Sequence, residues 1–254
     1  MDLGLKGKIA VVTGASNGIG RATAQLLAAE GATVVMFARR ADVLEQARAL
    51  VARSGDVEAR ALDVSDVAAY AAALEDVAAR HGRIDILVNN AGAGSFNMIE
   101  DLSDEQWRND YALNVDAPFA SMRTVFPIMA RNGGGAIVNV TSIMGARSQA
   151  LSAAYASSKA ALQQLTNVAA VEGAAHNIRV NTLQVGSIAT EGTSAYSEEY
   201  PELARKVADT IPLKRWGKPE EIAAGIAFLV SAPASFVAGA TLAVDGALGV
   251  VFPY

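Results

Sequence analysis

The 254-residue chain contains no cysteine and only two histidines. Without cysteine, disulfides, thiolate metal sites and a cysteine nucleophile are all excluded. His81 and His176 lie where predicted helices end, which is typical of capping residues. We therefore expect no metal site and no Ser-His-Asp triad. No apolar run reaches the roughly 18–20 residues that span a bilayer, and the first residues lack a signal-peptide pattern, so we expect a cytoplasmic protein without a membrane partner.

The formal net charge is −5, and the lysines and arginines are scattered rather than arranged along one face. This pattern disfavours nucleic acid as a partner, because nucleic-acid-binding proteins present concentrated positive charge to phosphates. Apolar residues make up 52% of the chain, which is enough for a sizeable core without cross-links. The length fits one large α/β domain.

Short, β-branched apolar runs alternate with amphipathic, helix-period segments along the chain, as in "KIAVVT" from Lys8 followed by "RATAQLLAAE". This alternation predicts right-handed βαβ units and a parallel, doubly wound sheet. Composition does not change abruptly anywhere, so we expect a single domain over residues 1–254. Residues 187–213 are more polar, and we predict a mobile lid over a site there. A surface helical hairpin is the alternative.

A glycine-rich turn, "VVTGASNGIGRATAQLL", follows the first predicted strand and opens the first helix. Gly14, Gly18 and Gly20 would let the backbone turn tightly and approach a phosphate, which the N-terminus of the helix attracts. The turn predicts dinucleotide binding, and a purely structural turn is the alternative.

The second predicted strand ends in Ala38, followed by Arg39 and Arg40. Domains that bind NAD usually place a carboxylate here for the ribose hydroxyls. A carboxylate repels a 2′-phosphate, whereas a guanidinium binds it. The sequence therefore favours NADP(H) over NAD(H), unless the two arginines only cap the next helix in solvent.

Tyr155 and Lys159 are four residues apart in a predicted helix and share a face. A nearby ammonium is expected to lower the pKa of the phenol and make it a general acid or base. Ser142 follows a strand, where its hydroxyl could polarise a carbonyl. Each residue alone is weak evidence for a catalytic site.

Several further motifs occur together with these residues: "TGASNGIG" from Thr13, "LDVSD" with Asp63, "NNAG" from Asn89, Asn114 in "ALNV", and Ser142 in "TSIMG". Over nearly its whole length the chain resembles the short-chain dehydrogenase/reductase family. The resemblance implies a single Rossmann-like domain with a seven-stranded parallel sheet flanked by helices. It also implies an oxidoreductase that interconverts a ketone and a secondary alcohol by hydride transfer.

The resemblance further implies a catalytic tetrad. In it, Tyr155 exchanges the proton, Lys159 binds the nicotinamide ribose, Ser142 orients the carbonyl, and Asn114 holds a water that links Lys159 to solvent. The cofactor contacts that it implies, together with those read from the glycine turn and the arginines, are Gly14, Ser16, Asn17, Gly18, Ile19, Gly20, Arg39, Arg40, Asp63, Val64, Asn90, Ala91, Gly92, Tyr155, Lys159, Gly186, Ile188 and Thr190.

The residues expected to border the substrate are mostly small, apolar or neutral, which favours a neutral ketone or alcohol over a charged acid. They are Ala93, Gly94, Ser142, Met144, Gln149, Tyr155, Gly186, Ser187 and Tyr196. A β-ketoacyl carrier-protein reductase is the alternative function, although Asn17 stands where such a reductase would have an arginine. A catalytically silent redox sensor is a weaker alternative, because all four tetrad residues are present.

Two positions depart from the family pattern: Val185 replaces a usual proline before Gly186, and Ala247 replaces a common glycine. The tail "LGVVFPY" is apolar, and exposed on a monomer it would form an unfavourable patch. We expect a homo-oligomer, a tetramer or alternatively a dimer, that buries this tail between subunits.

Overall fold

A computed structural model describes residues 2–251, except the side chains of residues 194–197. Seven strands form one sheet: β1 (Ile9–Thr13), β2 (Thr33–Ala38), β3 (Val57–Ala61), β4 (Ile86–Asn89), β5 (Gly135–Ser142), β6 (Ile178–Val185) and β7 (Thr241–Val244). The helices of the described part are α1 (Gly18–Ala29), α2 (Ala41–Val51), α3 (Val67–His81), α4 (Asp104–Tyr111), α5 (Ala117–Arg131), α6 (Ala153–Ala174), α7 (Glu191–Glu199), α8 (Pro201–Thr210) and α9 (Pro219–Val230).

The strand order is β3-β2-β1-β4-β5-β6-β7, and every pairing is parallel. The chain therefore starts in the middle of the sheet, winds outward to β3, and returns to wind the other way from β4. This arrangement confirms the predicted doubly wound, seven-stranded sheet. Between β1 and β4 the winding direction reverses, and ligands of such sheets bind outside the carboxyl ends of the strands at this point.

Helices cover both faces of the sheet, so the central strands are buried on both sides. All five residues of β1 are buried, and its four apolar residues alternate between two apolar clusters. Val12 packs in the same cluster as Leu27 of α1 and Ile226 of α9. Val11 lies in the opposite cluster with Leu74 of α3. This packing fixes the carboxyl ends of the strands as a rigid platform.

The segment 187–213, predicted to be a lid, contains α7 and α8 and precedes α9. The indole nitrogen of Trp216 donates a hydrogen bond to the Ala204 carbonyl at 3.1 Å, which ties α8 to the chain that follows it. Mobility of this segment remains a prediction. Among the described helices, none combines the length and apolarity needed to cross a membrane.

Candidate active site

The glycine turn lies at the carboxyl end of β1, where Asn90 holds it. Gly14 and Gly18 have positive φ angles of 63° and 49°, which side-chain-bearing residues rarely adopt. The Asn90 amide donates a hydrogen bond to the Thr13 carbonyl at 2.9 Å, and the Asn90 N–H donates to the Thr13 hydroxyl at 3.0 Å. A Cβ on Gly14 would lie 2.9 Å from Asn90 Nδ2. The "TGAS" and "NNAG" motifs therefore form one structural unit.

A cleft of about 660 Å³ extends from this turn across the carboxyl ends of the strands. Most of the predicted cofactor contacts line it: Gly14, Ser16, Asn17, Gly18, Ile19, Arg39, Arg40, Asp63, Val64, Asn90, Ala91, Gly92, Tyr155, Lys159 and Thr190. Ten lining residues are not among the predicted cofactor contacts, although Ala93 is predicted to border the substrate: Phe37, Ala38, Leu62, Ala93, Leu113, Val140, Thr141, Val185, Gly192 and Thr193. These come from strand ends and adjoining loops, whose convergence depends on the sheet order.

Three predicted cofactor contacts do not line the cleft. Gly20 faces the turn, where a Cβ would collide with the Gly14 carbonyl, so this glycine serves close backbone packing. Gly186 packs against Asp245, and a Cβ there would lie 2.8 Å from the Asp245 Cα. Ile188 is buried, and its side chain lies beside Gly217.

Arg39, Arg40 and Asp63 lie at one end of the cleft. The guanidinium of Arg39 and the carboxylate of Asp63 are 3.9 Å apart, and the Arg39 side chain is 69% exposed. Partial burial acts to raise the pKa of Asp63, but hydrogen bonds from Ser65 and the charge of Arg39 lower it below its ordinary value. Two cations and one anion leave a positive balance here, which suits a 2′-phosphate.

A carboxylate of this chain contacts the N-terminus of α1. Glu191, the first residue of α7, accepts a hydrogen bond from the Gly18 N–H at 2.8 Å and pairs with Arg21 at 2.5 Å. Burial acts to raise the pKa of Glu191, but backbone N–H groups and Arg21 lower it overall. A phosphate bound at this helix N-terminus would compete with Glu191 for the same donor.

Tyr155 and Lys159 line the other end of the cleft, and Ser142, which is not among the lining residues, lies next to Tyr155. Ser142 is the last residue of β5, and Tyr155 and Lys159 share a face of α6. The Lys159 ammonium is 5.8 Å from the centroid of the Tyr155 ring and donates a hydrogen bond to the Val140 carbonyl at 3.1 Å. Lys159 is only 4% exposed. The structure thus brings the predicted acid, its neighbouring cation and a hydroxyl together.

The pKa directions in this group differ from the expectation. Burial raises the pKa of Tyr155, the Ser142 hydroxyl acts to lower it, and the charge of Asp110 raises it further. Burial also lowers the pKa of Lys159 to about 8. In the protein without a cofactor, Lys159 therefore does not lower the pKa of Tyr155 as expected.

Asn114 lies in a π-helical turn, Ala112–Asp116, that joins α4 to α5. Its amide donates hydrogen bonds to the Ala93 carbonyl at 2.8 Å and to the Ser158 hydroxyl at 3.0 Å. The Asn114 Oδ1 atom is buried and has no hydrogen-bond partner among the described residues. A Cβ on Gly92 would lie 2.9 Å from Lys159 Nζ and 3.1 Å from that Oδ1, so Gly92 lets both atoms approach. Oδ1 therefore has free acceptor capacity close to Lys159.

The predicted substrate residues are spread more widely. The Met144 N–H donates to the Ser142 hydroxyl at 3.2 Å, whereas Gln149 is exposed. Ser187 lines a separate cavity of about 100 Å³. The side chain of Tyr196 lies outside the described residues. Phe96, which the sequence did not single out, places its ring 5.7 Å from the Tyr155 ring.

The two departures from the family pattern have clear structural outcomes. Val185 continues β6, paired with Ser142 on one side and Val244 on the other, and lines the cleft. Ala247 adopts a left-handed φ of 70°, a conformation that glycine adopts without strain. In the described part of the chain, no group of three His, Asp or Glu side chains could hold a metal ion.

A family model described as enoyl-(acyl carrier protein) reductase matches residues 14–248. Galactitol 2-dehydrogenase (L-tagatose-forming) of Cereibacter sphaeroides is 41% identical over 246 residues, which are 95% of each chain. The 3-oxoacyl-[acyl-carrier-protein] reductase of Thermotoga maritima is 38% identical over 246 residues, 96% of this chain and 98% of that protein. The solved structure of L-sorbose reductase from Gluconobacter frateurii, complexed with NADPH and L-sorbose, matches with a TM-score of 0.94 and 35% identity, covering 99% of this chain and 100% of that one.

The chain belongs to the short-chain dehydrogenase/reductase family. Membership confirms the predicted oxidoreductase that interconverts alcohol and carbonyl groups. The predicted NADP(H) agrees with the NADPH in the sorbose reductase complex. The left-handed glycines of the turn, the cleft that follows it and the arginines at its far end all fit a dinucleotide with a 2′-phosphate.

Proposed function

We propose that this short-chain dehydrogenase/reductase uses NADP(H) to interconvert a neutral ketone and a secondary alcohol. One observation carries the proposal: a single cleft has Arg39 and Arg40 at one end and Tyr155 with Lys159 at the other. A nucleotide phosphate and a reacting carbonyl would thus be held at opposite ends of one cofactor. The glycine turn would hold the diphosphate between them.

The proposed chemistry assigns a separate task to each side chain. Bound NADPH supplies the hydride that adds to the carbonyl carbon. The Tyr155 hydroxyl gives its proton to the carbonyl oxygen, while Ser142 donates a hydrogen bond to the same oxygen. Because burial raises the pKa of Tyr155, its phenol is protonated at neutral pH and ready to act as an acid. Lys159, together with a water that the free Oδ1 of Asn114 would hold, would return a proton to Tyr155 from solvent.

The assignment to Tyr155 is tested with Tyr155→Phe, which removes the acid and keeps the ring. We expect kcat to fall at least ~10²-fold, in line with general-acid contributions, while the Kd for NADPH, measured by calorimetry, stays unchanged. Turnover close to that of the natural protein would contradict the assignment.

The cofactor assignment is tested by comparing kcat/KM for NADPH and NADH. Arg39→Ala should raise the KM for NADPH and leave the KM for NADH nearly unchanged, because only NADPH carries the 2′-phosphate. Arg53→Ala, at an exposed position beyond α2, is a suitable control. A preference for NADH in the natural protein would refute the assignment.

The substrate proposal rests on the uncharged loop that runs beside Tyr155. Phe96, Gly94 and Ala93 lie along its ring or beside the cleft and carry no charge. Relatives named for L-sorbose and galactitol act on neutral polyhydroxylated compounds. A panel of neutral ketones, sugars and polyols, with matched carboxylic acids as controls, tests this, and faster turnover of the acids would contradict it.

Reduction of 3-oxoacyl carrier-protein thioesters is the second candidate, because the Thermotoga maritima relative is named for it at 38% identity. An acidic carrier requires a basic docking patch, which the scattered charges and net charge of −5 do not favour. Comparing a 3-oxoacyl carrier protein with a small 3-oxo thioester distinguishes the two candidates. A large preference for the carrier-bound form would replace the neutral-ketone proposal.

Three further features belong to the proposal. Helices α7 and α8 would act as the substrate lid, since Thr190 before them lines the cleft and Glu191, the first residue of α7, contacts Gly18. A homo-oligomer would cover exposed apolar side chains such as Val250, which is 78% exposed, and Phe236. Deleting residues 251–254 and measuring mass in solution tests whether the tail contributes to assembly; Phe252, Pro253 and Tyr254 lie outside the described residues. Cytoplasmic residence would be tested by cell fractionation.

A further inference from the structure

The loop between β4 and α4 runs directly along the ring of Tyr155. A Cβ on Gly94 would lie only 2.5–2.7 Å from three atoms of the Tyr155 side chain. The Gly94 backbone therefore packs directly against that side chain. Two residues later, the Phe96 ring lies 5.7 Å from the Tyr155 ring, at an interplanar angle of 45°. The position of the phenol therefore depends on how firmly this loop is held.

A buried carboxylate holds the loop at the residue between these two contacts. Asp110 of α4 is 5% exposed. One of its oxygens accepts a hydrogen bond from the Ser95 N–H at 2.9 Å, and the other accepts from the Ser95 hydroxyl at 3.0 Å. Among the ion pairs of the described residues, none involves Asp110, so Ser95 supplies the contacts that offset burial of this carboxylate.

We propose that Asp110 is a positioning residue for Tyr155. It clamps Ser95 and thereby presses the loop segment 94–96 against the phenol ring. It also places a negative charge near the group that exchanges the substrate proton. This inference rests on the proposed role of Tyr155 and adds a residue that acts on it from outside the cleft.

The charge of Asp110 has a definite direction of effect. Among the described residues, the polar or charged side chains that act on Tyr155 are Ser142 from β5, Lys159 from its own helix, and Asp110 from α4. The loop 91–97 contributes no charged residue. Burial is the larger cause of the raised pKa of Tyr155, and the Asp110 carboxylate adds to it because it disfavours a phenolate. Asp110 thus favours the protonated phenol, the form that reduces ketones.

Two variants separate the charge from the clamp. Asp110→Asn removes the charge, keeps the size, and retains one acceptor for Ser95. Ser95→Ala removes the hydroxyl contact and keeps the charge. Asp116→Asn, at an exposed position at the end of the π-helical turn, is the matched control for loss of a carboxylate.

The readout is kcat/KM for alcohol oxidation with NADP⁺ from about pH 6 to about pH 10. Oxidation needs the deprotonated phenol, so its rate rises with pH through the pKa of the site. Asp110→Asn should move this rising limb to lower pH. Ser95→Ala should lower kcat by about tenfold through misplacement of the ring and leave the limb where it is. Asp116→Asn should change neither quantity.

A second readout does not depend on turnover. The difference in tyrosinate ultraviolet absorbance between each protein and its Tyr155→Phe counterpart reports the titration of Tyr155 alone. It should move to lower pH in Asp110→Asn. If neither the pH–rate profile nor the tyrosinate titration moves in Asp110→Asn, the electrostatic part of the proposal is overturned. Natural kcat in both Ser95→Ala and Asp110→Asn would overturn the clamp. If Tyr155→Phe itself keeps natural turnover, the proposed function fails instead.

Discussion

Lys159 is buried at 4% exposure, and burial lowers its pKa to about 8 from an ordinary value of 10.5. Because the folded protein binds this proton less tightly than the unfolded chain, the charged form destabilises the fold. The penalty is fully present below pH 8 and disappears as pH rises to the unfolded value. The gap between the two pKa values corresponds to about 3 kcal/mol. Lys159→Met should therefore stabilise the protein at neutral pH while abolishing its activity.

Some of this gain is offset. Methionine keeps most of the volume and apolar stem of lysine but loses the hydrogen bond to the Val140 carbonyl, which is worth about 1 kcal/mol. We expect a net gain of about 2 kcal/mol in the free energy of unfolding at pH 7. The gain should shrink steadily between about pH 8 and about pH 10.5, because the folded lysine is then neutral and the cost of removing its proton falls to zero at the unfolded pKa.

Urea unfolding of the cofactor-free protein at several pH values measures this quantity, with protein concentration held fixed because binding and assembly shift apparent stability. Lys206→Met, at an exposed position in α8, is the control and should change stability little at any pH. A Lys159→Met variant no more stable than the natural protein at pH 7 would refute the reasoning. A gain that stays constant with pH would also refute it, since the stabilisation would then come from packing alone.

Two further predictions follow from backbone and helix-end contacts. Glu191→Gln weakens the contact that competes with a phosphate at the N-terminus of α1. The half-exposed ion pair and hydrogen bond of Glu191 are together worth about 1 kcal/mol. The Kd for NADPH should therefore fall about fivefold. Calorimetric titration against Glu199→Gln checks this, and an unchanged or raised Kd would show that no competition exists. Ala247→Gly relieves a left-handed alanine, so it should add about 1 kcal/mol and raise Tm by about 2–4 °C. The exposed helical Ala49→Gly should have the opposite sign, and a lowered Tm for Ala247→Gly would contradict the assigned strain.

The alternation of strands and helices and the glycine turn were predictable because both depend on local sequence. Alternating apolar runs and helix periods specify βαβ units, and right-handed crossovers restrict how they assemble. The turn from Thr13 to Gly20 carries its own signal, and Asn90 joins it because the ends of β1 and β4 are neighbours in the sheet. Spacing of four residues likewise placed Tyr155 and Lys159 on one face of α6.

Other features depend on contacts between distant parts of the chain, which periodicity does not reveal. Glu191 reaches Gly18 across 173 positions. The π-helical turn that carries Asn114 has no sequence signal separating it from an ordinary helix. At Gly20, a Cβ would collide with the Gly14 carbonyl, a packing reason for glycine that the motif alone does not reveal. The direction of the Tyr155 pKa depends on burial and on Asp110, neither of which is visible from the neighbouring lysine.

The raised pKa of Tyr155 and the lowered pKa of Lys159 together restrict how the site changes between ketone reduction and alcohol oxidation. Burial favours a neutral Tyr155 and a neutral Lys159, so near pH 8 the protein alone holds an uncharged phenol beside a partly deprotonated amine. Such a pair suits proton donation to a ketone but disfavours the phenolate that alcohol oxidation requires. The Lys159 ammonium donates its hydrogen bond to the Val140 carbonyl and lies 5.8 Å from the centroid of the Tyr155 ring. It therefore does not supply the stabilisation that the Tyr155 phenolate needs. The nicotinamide ring of NADP⁺ would bring a further positive charge close to Tyr155, so tyrosinate absorbance should titrate at lower pH with NADP⁺ than without it. The titration would then belong to the coupled Tyr155–Lys159 pair rather than to either residue.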